Sequence, residues 1–205
     1  MTAQGKLVSR LGLACMATAV VSGILQGVWE MARPILITSN TFAAAPASQR
    51  WGYAVLSIIK SAGFLAGLFG LFKIGTKRGW IVSIFMVLAT LGAVFFGAVW
   101  LIIAATSELT ILYVLGGLWY QMVAPVALGI ASLWRRLVSR WVSVWAIFVG
   151  VLNSQIFARL GPAPALVVQG VIWLILGYMI YLSASRAEQI VDGNPDASGF
   201  RNLID

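Results

Sequence analysis

WIVSIFMVLATLGAVFFGAVWLIIA, residues 80–104, runs for 25 positions without one charged side chain. At 1.5 Å per residue a helix of that length crosses a hydrocarbon core of about 30 Å. Five further mostly apolar stretches lie around it, at 11–37, 52–73, 109–133, 141–159 and 163–183. The expected fold class is therefore all-α, a polytopic membrane protein with six transmembrane helices. The whole composition agrees: 60% of the 205 residues are apolar and 10% charged, whereas about a quarter are charged in an ordinary soluble domain.

Connections are short except at 38–50, so one transmembrane domain is expected over 1–183, followed by a polar tail over 184–205 in which Asp192-Gly-Asn-Pro-Asp196 reads as a turn. Lys6 and Arg10 precede the first apolar stretch. The small-residue site at Ala43 to Ala45 lies past Glu30 and Arg33, too far along for a cleaved leader, and the first span is read as retained.

Orientation follows from the basic residues flanking the spans. One side collects Lys6, Arg10, Lys73, Lys77, Arg78, Arg135, Arg136, Arg140, Arg186 and Arg201, ten in all; the other has Arg33, Arg50 and Arg159. Both termini are thus expected in the cytoplasm, with the chain integral to the cytoplasmic (inner) membrane and the 38–50 loop outside. The net charge of +8 belongs to this topology rather than to nucleic-acid binding, since the charges flank helices instead of forming one face. Trp51, Trp80, Trp100, Trp134 and Trp141 fall near span ends, where indoles favour the headgroup layer, whereas Trp29, Trp119, Trp145 and Trp173 lie within spans.

The absence of histidine removes His-based haem, zinc and di-iron sites and the Ser-His-Asp triad. Cys15 is the only cysteine and reads as a packing residue. No phosphate-binding glycine loop, close carboxylate pair or metal-ligand cluster is present, so neither cofactor nor metal is expected.

Ionisable residues inside spans usually face a bundle interior or cavity. Gln26, Glu30 and Arg33 fall at i, i+4 and i+7 on one face of the first span, and Lys60 lies about 13 Å along the second. Gly63, Gly67 and Gly70 share the face of Lys60, which predicts close contact with another helix. A Glu30–Lys60 pair is expected if the first helix runs on to Ile37; if it stops at Ala32, before Arg33-Pro34, Glu30 is left at the headgroups. Glu108, Gln121, Asn153, Gln155, Arg159 and Gln169 lie at similar depth or toward the same outer side. Structural hydrogen bonding between helices would leave the same trace. The candidate ligand-binding residues are Gln26, Glu30, Arg33, Lys60, Gln121, Asn153 and Arg159, as an outward-facing polar cluster.

The long first outer loop, Arg140-Trp141 opening the fifth span and Gly161-Pro162 before a sixth span rich in Trp and Gly make a layout that resembles uncharacterised bacterial six-helix inner-membrane proteins of about this size. That resemblance implies topology and no activity. Gly12, Ala14, Ala17 and Ala19 also look like the docking surface of substrate-binding subunits of energy-coupling-factor vitamin transporters, and Trp29-Glu30 is similar to the intramembrane acid of membrane-bound terpene cyclases.

The expected function is non-catalytic: binding, or helping to transport, a small amphiphilic or anionic ligand in the lipid bilayer. The alternative is an accessory subunit meeting other membrane subunits through Gly- and Trp-rich helix faces. A small intramembrane enzyme using Glu30 as acid stands further off. The topology is checked by labelling single cysteines in a Cys15→Ala background: position 45 should react only from outside and position 196 only from the cytoplasm, and the reverse pattern would overturn the orientation.

Overall fold

Proline 34 decides where the first helix stops. Arg33 takes φ −143° and ψ 79°, outside the helical region, and its N–H closes the last turn on the carbonyl of Trp29, as the residue before a proline is driven to do. The computed structural model describes residues 3–36, 38–74, 80–108, 115, 123–135 and 140–191, and among them there is helix and no strand. The first rod consists of α1 (Ala3–Thr18), a π-helical stretch (Ala19–Ile24) and α2 (Leu25–Ala32). There follow α3 (Ser39–Ala44), α4 (Ala47–Ile74), α5 (Trp80–Thr106), α6 (Ala124–Arg135), α7 (Arg140–Leu160) and α8 (Pro162–Val191).

Among the described residues four helical stretches are long and apolar enough to cross a membrane: Gly5–Ala32, Ala47–Lys73, Met86–Thr106 and Pro162–Ala184. They coincide with the first, second, third and sixth expected spans. Of the fourth, 109–114 and 116–122 lie outside the described residues, with α6 covering its end; the fifth falls on α7, which is not one of these four. The helix α8 continues past the expected start of the tail to Val191, because no glycine or proline interrupts the chain before Gly193. The turn expected at 192–196 lies outside the described residues. Gly161, at φ +83°, ends α7 in the left-handed conformation, and Pro162 opens α8 at the position where a missing N–H costs nothing.

The first rod packs antiparallel to α8 and also lies along α4, while α5, α6 and α7 lead round from α4 back to α8. Contact between the rod and α8 is closest at Gly23 and Gly170, where a Cβ on Gly23 would lie 2.5 Å from the Cα of Gly170. Backbone meets backbone there, which only glycine permits. On the other flank α4 presents Gly63 to the side chain of Thr18 and Gly67 to Cys15 and Leu176, the helix contact expected for that face. Between the three helices Phe64 stands edge-on to Trp173, ring centroids 4.3 Å apart, and the Cys15 thiol donates to the Trp173 carbonyl. Gly12 and Ala19 face inward, Gly12 against Gly177 and Tyr181. The docking surface expected there is therefore partly occupied by α8 of the same chain.

Gly23→Leu should lower thermal stability in detergent by the ~1–3 kcal/mol or more typical of overpacking, since the obstructing atoms are backbone. Gly97→Ala, whose new Cβ would meet only Ser61 at 3.8 Å, should be neutral or stabilising by up to about 1 kcal/mol. Equal effects of the two, measured by thermal unfolding, would show that the rod and α8 are not in backbone contact.

Candidate functional site

The π-helical stretch arranges the polar residues of the first rod. At 3.6 residues per turn a four-residue repeat drifts by about 40° each step, whereas the wider i→i+5 turn drifts the opposite way. The Leu25 N–H to Val20 carbonyl bond is of this wider kind. Thr18, Ser22, Gln26 and Glu30 consequently form one seam along the rod. Ser22 donates its hydroxyl to the Thr18 carbonyl, and Ser22, Gln26 and Glu30 are all buried.

Opposite this seam α4 places Ser57, Lys60 and Ser61, also buried. The Gln26 amide nitrogen donates to Ser57 Oγ at 2.8 Å, Ser57 in turn donates to the Tyr53 carbonyl at 3.0 Å, and Ser61 donates to the Ser57 carbonyl at 3.1 Å. The Lys60 ammonium donates to Gln26 Oε1 at 3.1 Å and lies 5.2 Å from the centroid of Phe96. Lys60 is only 3% exposed. A charge at such depth is costly, so it needs charge-assisted partners and a polarisable ring face.

Glu30 is used differently from the expectation. Its Oε1 accepts the N–H groups of Ile35 at 3.1 Å and Leu36 at 2.9 Å, and its Oε2 has no hydrogen-bond partner among the described residues. It makes no hydrogen bond to Lys60, and the expected direct pair is replaced by Gln26, which reaches the ammonium from one turn away. The helix does end at Ala32, yet Glu30 is 2% exposed instead of standing at the headgroups. The chain after Pro34 folds back over it, and Glu30 holds the returning backbone.

That returning segment closes the end of the bundle at which it lies. Thr38 and Thr41 form a capping box on α3, which carries Phe42, fully buried, against Trp100 at 6.2 Å between centroids. Trp100 then packs against Tyr53 with the rings tilted and 4.9 Å between centroids, and meets Phe96 edge-on. Arg50 fastens the far side by donating to the carbonyls of Ala43 and Ala45. An aromatic column under a fastened loop thus stands between this end and Lys60, so the cluster read from sequence as an open pocket is roofed over.

Of the candidate residues, Gln26, Glu30 and Lys60 come together. Arg33 and Arg159 are exposed and stand apart from them. Gln121 lies outside the described residues, as do the side chains of Asn153 and Gln155. Trp100, read as a headgroup anchor, is instead buried in the aromatic column, because the 33–46 segment covers the span end; Trp51, Trp80, Trp134 and Trp141 are exposed there as expected. Of the tryptophans within spans, Trp173 is buried and Trp145 exposed. Two residues of this region stand outside the candidate set: Ser57, although Tyr53, Ser57 and Ser61 share a four-residue spacing, and Gln169, which is 3% exposed with neither amide atom hydrogen-bonded among the described residues.

No protein-family model, no curated protein and no solved structure matches this chain.

A double-mutant cycle of Gln26→Leu with Lys60→Met should give a coupling energy of about 0.5–3 kcal/mol, as for residues in contact. Glu30→Gln with Lys60→Met should come closer to additivity. Chemical or thermal unfolding in micelles measures both, and a larger coupling for Glu30 than for Gln26 would restore the direct pair.

Proposed function

We propose that this chain is a six-span membrane protein with both termini on the cytoplasmic side of the inner membrane. It binds, or helps to transport, a small amphiphilic or anionic ligand at the layer formed by Gln26, Ser57 and Lys60, and catalyses no reaction. The ten-to-three division of basic residues supports the orientation. The observation that carries the ligand reading is an ammonium buried midway along an apolar helix, held by an amide, with the amide of Gln169 buried and unsatisfied on the last helix. Bundle stability alone is better served by apolar residues of the same volume, so polar groups retained at this depth suit recognition.

Glu30 as a catalytic acid draws less support, because one oxygen is committed to two backbone N–H groups. The accessory-subunit reading draws on a separate feature. Val144, Trp145, Phe148 and Val151 make an exposed stripe on α7, with Trp145 edge-on to Phe148 at 5.7 Å.

Native mass spectrometry of the protein released from mild detergent separates the readings. A single chain carrying a small-molecule mass that is lost in Lys60→Met is the expected result. A stoichiometric complex with other membrane chains and no such adduct would overturn ligand binding in favour of the accessory role.

A further inference from the structure

The contacts between helices fix the height of each polar group around Lys60. On α4, Lys60 lies one turn from Phe64; on α8, Gln169 lies one turn from Trp173, on the same side in both cases. Phe64 and Trp173 touch, and α4 and α8 both run away from the loop end, so Lys60 and Gln169 stand level on facing walls. Gln26 belongs to the same layer: its neighbours Gly23 and Gly27 rest against Gly170 and Val167, which bracket Gln169. Glu30 lies one turn, about 6 Å, closer to the loop end.

This layer and the turn on either side of it hold both kinds of unsatisfied polar atom. Glu30 Oε2 and Gln169 Oε1 are buried acceptors, and Gln169 Nε2 and Trp173 Nε1 are buried donors, none with a hydrogen-bond partner among the described residues. Each such group costs about 1–3 kcal/mol if left so. A simple anion would satisfy only the donors.

We propose that the layer is a binding site for a small zwitterion of the α-amino-acid class with an apolar side chain. Its carboxylate lies between Lys60 Nζ and Gln169 Nε2, and its ammonium between Glu30 Oε2 and Gln169 Oε1. Such a ligand adds no net charge. Its two charged ends sit on neighbouring atoms, which suits protein charges about one helical turn apart with a hydrogen bond of about 2.9 Å at each end. The surroundings of these polar atoms are apolar, with Phe64, Phe96 and Trp173 among them. The inference rests on reading the layer as a ligand site and narrows the ligand from anionic to zwitterionic.

The test uses the full chain in lipid nanodiscs and isothermal titration with L-leucine and L-phenylalanine, beside 4-methylpentanoate and 3-phenylpropionate, which lack the amino group. At least one amino acid should bind tenfold or more tighter than its des-amino partner, the worth of one hydrogen bond between charged groups. Equal or tighter binding of the des-amino acids would refute the zwitterion and leave an anionic ligand standing. If none of the four binds while the native adduct survives, the zwitterion alone fails; if the adduct is absent too, the site reading fails with it. Gln169→Leu gives an independent arm. It should raise the melting temperature of the ligand-free protein and weaken amino-acid binding about tenfold, whereas lowered stability with unchanged binding would make Gln169 a structural residue and overturn the proposal.

Discussion

The hydrogen bond from the Lys60 ammonium to Gln26 is the constraint around which the bundle is organised. A charge in apolar surroundings tolerates few neighbours, and those it has must be held in place. Gln26 is positioned because its other amide group is spent on Ser57, and Ser57 is positioned because its hydroxyl returns to the backbone of α4. The first rod and α4 are thereby locked in register. A slide of one helix by a single turn would move the amide about 5.4 Å and leave the ammonium without it. Glycine at 63 and 67 lets side chains of the first rod nestle against α4, close enough for so short a bond, and the Gly23–Gly170 crossing brings α8 into backbone contact on the other flank.

The loop after Pro34 solves a second problem of the same kind. Stopping a helix inside the bundle exposes carbonyls at its end, and turning the chain exposes N–H groups. Glu30 supplies one oxygen for two of those N–H groups, Thr38 and Thr41 cap the following helix, and Arg50 covers two carbonyls. Phe42 can then be inserted against Trp100. Polar atoms are thus spent on backbone so that an aromatic side chain can close the end of the bundle.

The helical class was legible from uninterrupted apolar length alone, and the helix contact of Gly63 and Gly67 from small residues at helical spacing. Cluster membership was half legible. Gln26, Glu30 and Lys60 stood out as polar residues within apolar runs, but their pairing did not, because it depends on a π-helical stretch inside the first rod that no hydrophobic periodicity announces. The stopping point was marked by Arg33-Pro34, whereas the path after it was not: a loop of small and polar residues reads as exposed until Phe42 is seen to have a place between Trp100 and the loop. Gln169 and Ser57 were hard to weigh for a different reason. Their importance comes from what faces them across two helix interfaces, and sequence spacing reports only one helix at a time.

The partnership of the first rod with the last helix also bears on how the chain is made. Synthesis delivers the first rod and α4 to the membrane well before α8 exists. In that interval the Gly23 groove has no partner, whereas the seam of Ser22 and Gln26 can already find Ser57 and Lys60 on α4. The early hairpin is therefore held by its polar atoms and finished by its glycines. Closure of the bundle waits on α8, so a chain shortened before Pro162 would keep Lys60 paired with Gln26 but leave the Gly23 face of the first rod without its partner.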